Sequence, residues 1–329
     1  MNSKSMHIDD KSESNSFRFV LVALITFIVF YSISLFSVQS YQMYYESREY
    51  PMWLHVKSLI NGKSDVKQKL VVVGDSRAKA GYEPVLSDDN TLNLAVGGST
   101  PIEGYYILKT FLRNNPVPDN LVLSYSPLHL AHSMFFWERT VKYDFLPDNE
   151  LDEIVGELKQ HNDPGIGKEN LIWKYTYLTS MYISSVVEGV KKKRWIINDK
   201  VKINLISSKG HAYFGTRHGV SSLNGEVKLA HDFNSSELIN YYFIKLIELA
   251  KSKSMKVSWY TMPFNEASCK KVSPELVKNF NKYIQLISSK TEMNVIKNIH
   301  CMDNKYFGDG SHVYMGSELT TKDILLAIE

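Results

Sequence analysis

Of the ten histidines, only His312 has an acidic residue three positions before it: Asp309, in Phe307-Gly308-Asp309-Gly310-Ser311-His312. A short Asp-x-x-His loop lets the carboxylate hold one ring nitrogen while the other is left to take a proton. The hydroxyl for such a base is Ser76, in Gly74-Asp75-Ser76-Arg77, directly after the apolar run Leu70-Val71-Val72-Val73. A third feature is the glycine pair that closes Asn93-Leu94-Ala95-Val96-Gly97-Gly98, where a backbone N–H can approach a ligand with no Cβ in the way. Each signal is modest alone: Gly-Asp-Ser arises by chance in roughly one chain in ten of this length, and a glycine pair usually marks an ordinary turn. Together they supply a nucleophile, a base, a carboxylate that fixes the base's tautomer, and an N–H for a developing oxyanion. There is no Walker loop, no G-x-G-x-x-G and no H-E-x-x-H, so the sequence implies neither metal nor nucleotide chemistry and no cofactor.

These residues act together only if the chain brings them to one edge. Short apolar runs at 70–73, 92–96, 121–125, 256–260 and 293–296 read as strands. Helical spacing at 102–113, 238–250, 274–288 and 316–328 alternates with them. Thr100 is a candidate N-cap and Pro101 a first helical residue. Strands alternating with helices imply a parallel sheet covered on both faces, a three-layer α/β fold. In such a sheet ligands bind beyond the carboxyl ends of the strands, where Ser76, Gly98 and the Asp309–His312 loop would all lie. Residues 130–235 interrupt the alternation and read as a large insertion, helical at 151–159 and 171–190, with a Gly-, Ser- and His-rich loop at 207–225. The basic run 191–194 reads first as a solvated helix end, where cations suit the dipole, ahead of a contact with a membrane or an anionic glycan.

Strand-Gly-Asp-Ser early in the domain, glycine at the end of the second strand and Asp-x-x-His near its close resemble the SGNH, or GDSL-type, hydrolase superfamily. The resemblance covers residues 69–129 and 236–329. It implies a flavodoxin-like, mostly parallel five-stranded sheet, with Ser76 as nucleophile and oxyanion N–H donor, Gly98 as a second donor, His312 as base and Asp309 as its partner. One departure matters. The family's third block carries Gly-x-Asn-Asp after the third strand, whereas this chain has Leu123-Ser124-Tyr125-Ser126-Pro127-Leu128-His129. Losing one oxyanion donor costs ~2.7–4 kcal/mol, so a substitute is expected: Ser126 by position, or Asn265, after the fourth strand, by space. A chain without that Asn looks like the membrane-anchored branch that acetylates alginate and other envelope polysaccharides, and like relatives that transfer D-alanine to teichoic acids. The resemblance therefore implies acyl-ester transfer or hydrolysis on a cell-envelope glycan, with an acyl donor or membrane acyl-transfer protein as partner. The rival is a non-catalytic glycan-binding or envelope-assembly protein of the same fold. Arg77, where the family has Leu, is a candidate for an anionic substrate or a structural ion pair. His211 and His218, near Arg217 and several aromatics, are weaker candidates for a glycan cleft, and His129, His132 and His231 read as surface or hydrogen-bonded loop histidines.

The 329 residues carry 44% hydrophobic and 22% charged side chains with a net charge of +3, which excludes a disordered, collagenous or coiled-coil chain and is too balanced for nucleic-acid binding. One segment departs from this average. Residues 19–38 form an uncharged apolar run, and twenty residues at 1.5 Å rise span a bilayer core of ~30 Å. The run is long for a cleaved signal peptide and lacks a small-x-small site, so an uncleaved anchor is expected. With 1–18 as a cytoplasmic tail and 39–68 as a connector, the domain 69–329 would lie outside, periplasmic or extracellular, although the flanking charges favour this orientation only slightly. Cys269 and Cys301 then meet an oxidising compartment, where they are either bonded or two unpaired thiols. Both follow strands expected to be parallel neighbours, so their Cα separation should fall below ~7 Å if they are bonded.

Overall fold

A run such as Leu70-Val71-Val72-Val73 has no polar side and is stable only inside a sheet covered on both faces. In the computed structural model that is its place. The structure describes residues 9–163, 165–166, 172–215, 218–228 and 233–329, with side chains from residue 16 in the first helix and from 180 in the helix Ile172–Lys191. The strands are β1 (Leu70–Gly74), β2 (Thr91–Asn93), β3 (Asn120–Ser124), β4 (Lys256–Tyr260), β5 (Phe264–Asn265), β6 (Asn294–Lys297) and β7 (Cys301–Met302). Five of them form a parallel sheet in the order β2-β1-β3-β4-β6, and β5 and β7 pair separately, also parallel.

The helices are α1 (Asp9–Ser40), α2 (Gln42–Tyr45), α3 (Tyr50–Asn61), α4 (Ser76–Gly81), α5 (Pro101–Asn114), α6 (Pro127–Ala131), α7 (Asp148–Glu157), α8 (Ile172–Lys191), α9 (Arg194–Ser207), α10 (Glu237–Ser252), α11 (Glu266–Cys269), α12 (Pro274–Thr291) and α13 (Ser317–Ile328). Side chains alternate across the sheet. Val71, Val73, Leu121 and Leu123 join a core with Trp53 of α3, Ile107 of α5, Phe243 of α10 and Phe280 of α12. Leu70, Val72 and Val122 face Ala78 of α4 and Ile324 of α13. Each such side chain contributes ~1.5–3 kcal/mol by leaving water. Thr100 caps α5 as expected and is joined by Glu103, whose carboxylate accepts from the Thr100 N–H at 2.8 Å.

Three local expectations change. The second strand is shorter than 92–96: the Asn93 side chain accepts from the Ala95 N–H and ends the regular ladder, although Leu94 and Val96 still donate to β1. Residues 39–68 are not a mere polar connector, because Gln42, Tyr45 and Glu46 are buried and Trp53 enters the core. The basic run 191–194 does begin at the exposed end of α8, as expected, but another helix follows at once. Lys193 takes a left-handed φ of 49°, breaking α8, and α9 starts at the next residue. The β5–β7 pair was not expected either, since two residues per strand leave no periodicity to read.

Within α1, Ser16–Ser40 is 25 residues long and contains an 18-residue window of mean hydropathy 2.6 with none of it buried inside the protein, long and apolar enough to cross a membrane.

Candidate active site

β1 ends in Gly74, where any Cβ would overlap the Ser124 carbonyl oxygen of β3, so the chain can turn here only without a side chain. Asp75 caps α4, its carboxylate accepting from the Arg77 N–H at 2.9 Å. Ser76 is thereby fixed as the first residue of α4, beyond the carboxyl end of β1. Its Oγ lies 2.8 Å from His312 Nε2, across 236 residues of sequence. His312 Nδ1 lies 2.9 Å from both carboxylate oxygens of Asp309. The loop between them is a tight hairpin: Asp309 Oδ1 also accepts from the N–H groups of Ser311 and His312, and Gly308 N–H donates to the His312 carbonyl. Burial raises the Asp309 pKa, but the His312 hydrogen bond and charge, with the two backbone N–H groups, outweigh it and bring it to about 2. Ser76, His312 and Asp309 are therefore brought together as the spacing predicted, with an ionised carboxylate directing Nδ1–H and a hydroxyl able to donate to Nε2.

Gly98 has φ of +75°, and a Cβ there would overlap Arg139 Nη1 and come within 2.8 Å of the Phe135 ring. Among the described residues, the N–H groups of Ser76 and Gly98 donate to no protein acceptor. Arg139 is held over this turn by Glu49 at 2.7 Å.

The structure corrects several expectations. Asn265 does not reach the site with a spare donor. Its amide donates to the carbonyls of Ser222 and Gly310 at 2.8 and 2.9 Å, and its Oδ1 accepts from Ser268 N–H at the start of α11. It ties the insertion to the loop carrying Asp309. Ser126 is also committed: its N–H donates to Asp75 at 2.8 Å and its hydroxyl caps α6. Arg77 is 5% exposed, paired with the buried Glu226 and lying over Phe264, so it faces the interior rather than a substrate. His211 is 3% exposed, with Nε2 3.1 Å from the Ala80 carbonyl oxygen, and burial lowers its pKa. It packs the insertion onto α4 instead of lining a cleft. His218 is exposed and outside the Ser76–His312 bond set, while Arg217 and His231 lie outside the described residues.

Two contributors escaped the sequence reading. Phe214, from the insertion, stacks on the His312 ring at 4.4 Å and 21°. His129, read as an ordinary loop histidine, has Nδ1 2.7 Å from the buried Asp75 carboxylate. Burial opposes the Asp75 charge, but the His129 bond and charge, Arg77 and the Ser126 N–H hold its pKa far below the usual range. No spacing signal links Asp75 to His129, because their contact depends on β1 and β3 being neighbours.

Cys269, at the end of α11, and Cys301, the first residue of β7, are bonded with Cα atoms 6.1 Å apart, below the limit expected, although neither simply follows a strand of the main sheet. Comparison of the chain with protein-family models, with curated proteins and with solved structures finds no match in any of the three.

Proposed function

We propose that the chain is a serine-dependent acyl-transfer enzyme of the SGNH, GDSL-type class. More particularly, we read it as a membrane-anchored O-acetyltransferase or esterase acting on a cell-envelope polysaccharide. The observation that carries the reading is the continuous set of contacts from Ser76 Oγ through His312 to Asp309. The strand order agrees with it. Numbered without the separate pair, it is 2-1-3-4-5, the order of flavodoxin-like doubly wound sheets, and the site lies beyond the carboxyl edge as that architecture requires.

In this reading Ser76 Oγ attacks the acyl carbonyl while His312 Nε2 takes its proton. The tetrahedral oxyanion is met by the N–H groups of Ser76 and Gly98. His129, on α6 after β3 and held through Nδ1 by Asp75, is taken here as the third donor: among the described residues its Nε2 bonds to no protein group. Collapse breaks the ester bond, the donor alcohol leaves with the proton from His312, and the acyl group remains on Ser76. A glycan hydroxyl, or water, then gives its proton to His312 and attacks the acyl-enzyme, releasing Ser76. The disulfide and the apolar N-terminal helix fit a domain held outside the cytoplasm.

Incubation with an activated acetyl ester should add one acyl group at Ser76, seen by mass spectrometry. Turnover of a chromogenic acetyl ester should disappear in Ser76→Ala. Unchanged turnover in that variant overturns the reading and leaves the binding-protein alternative.

A further inference from the structure

Solvated helices carry polar residues on their outer face. The hairpin α8–α9 instead mixes exposed polar residues, among them Ser184, Glu188, Asp199, Lys200 and Lys202, with a set of exposed large aliphatic side chains. Ile183, Val187 and Val190 stand on one face of α8 at 62, 47 and 61% exposure. On α9, Ile196, Ile203 and Ile206 are exposed at 47, 66 and 61%, away from the buried Asn198 and Leu205. Trp195, partly exposed, follows the basic run Lys191-Lys192-Lys193-Arg194 at the turn between the two helices. Residues 180–209 hold seven basic and two acidic side chains, a net charge of +5 against +3 for the whole chain.

This surface is fastened to the residues that follow the apolar helix. α2 begins two residues after α1 ends, and Asn198 Nδ2 donates to the carbonyls of Met43 and Glu46 at 2.9 and 3.0 Å. Gly189 lies so close to Tyr45 that a Cβ would overlap its backbone. Tyr41 and Tyr44, both 59% exposed, lie beside the same junction. Where α1 enters a bilayer, the hairpin is therefore held at the bilayer surface.

We propose that α8–α9 is a second membrane contact: its isoleucine and valine face enters the interface of the bilayer while Lys191–Arg194 bind anionic lipid headgroups. Apolar side chains reach the acyl boundary, lysine and arginine stems extend along them, and the ammonium and guanidinium groups stay at headgroup level. The contact fixes how the domain stands on the membrane. It does not depend on the reaction assigned to Ser76.

The test uses the full chain in vesicles. Its two cysteines are bonded to each other, so a single introduced thiol takes an environment-sensitive fluorophore. Ile196→Cys and Ile203→Cys report on the hairpin, and Lys322→Cys, exposed on α13 across the sheet, reports on a surface away from it. In vesicles of equal parts phosphatidylcholine and phosphatidylglycerol carrying nitroxide-labelled acyl chains, the labels at 196 and 203 should be quenched several-fold more than the label at 322. The difference should shrink in pure phosphatidylcholine and in a K191Q/K192Q/K193Q/R194Q variant. Equal quenching at all three positions, or burial of 196 and 203 by a second copy or another protein with no lipid quenching, overturns the proposal.

Discussion

Asp309 is an acid whose folded pKa lies below its unfolded one, so the stability it contributes is complete above about pH 4 and is lost as pH falls towards about 2. Denaturant unfolding of the native protein should therefore lose free energy over that window, and Asp309→Asn should lose less. The same variant should reduce ester turnover by about 10³–10⁴-fold, because Nδ1 no longer faces an anion and the ring is free to take the wrong tautomer. For His129 the expected effect is different. His129→Ala should lower kcat by about 10²-fold with little change in KM, as for loss of one oxyanion donor, and His129→Gln, which keeps an N–H near Nε2, should recover part of it. Loss of stability without this split between kcat and KM would reduce His129 to a partner of Asp75.

At the scale of elements, the site depends on how the insertion is attached. Lys79 of α4 is fully buried, has no carboxylate partner among the described residues, and donates to the Gly210 carbonyl at 2.8 Å, just past the end of α9. From there the chain runs through His211 to Phe214 on the His312 ring. Burial pushes the Lys79 pKa down to about 7. The unfolded chain then binds a proton that the folded one releases, so stability should rise between about pH 7 and pH 10. Lys79→Met should flatten that rise in denaturant titrations across this range. Gly74→Ala should cost more than ~2 kcal/mol, because the clash is with strand backbone that cannot move without breaking the β1–β3 ladder.

For the whole molecule, the Cys269–Cys301 bond closes a 32-residue segment from the end of α11 to the first residue of β7. Chain-entropy arithmetic gives ~3–4 kcal/mol for such a loop, so reduction under native conditions should lower the unfolding free energy by about that amount. The charge distribution has a consequence at the same scale. Residues 1–18 balance three basic against three acidic side chains, so the net positive charge lies beyond the apolar helix, and residues 180–209 exceed it alone. A chain truncated before Tyr41 should leave the membrane fraction on a high-salt wash, whereas the full chain should stay, since its apolar span holds independently of charge.

Ser76, His312 and Asp309 were legible in the sequence because each rests on a local pattern: a strand running into Gly-Asp-Ser, and a carboxylate three residues before a histidine. The alternation of strands and helices was legible for the same reason, since buried runs and helical periodicity are properties of neighbouring residues. What surrounds the serine was not. Whether Asn265 or Ser126 keeps a free donor, whether Arg77 meets substrate or Glu226, and that His129 rests on Asp75 depend on which strands become neighbours and which carbonyls need partners. Hydrogen bonds compete for the same few donors in three dimensions, and only the folded chain allots them. The basic run at 191–194 shows the same division. Its charge is read from the sequence, but its place between two helices, beside exposed isoleucines and the end of the apolar helix, comes from tertiary packing alone.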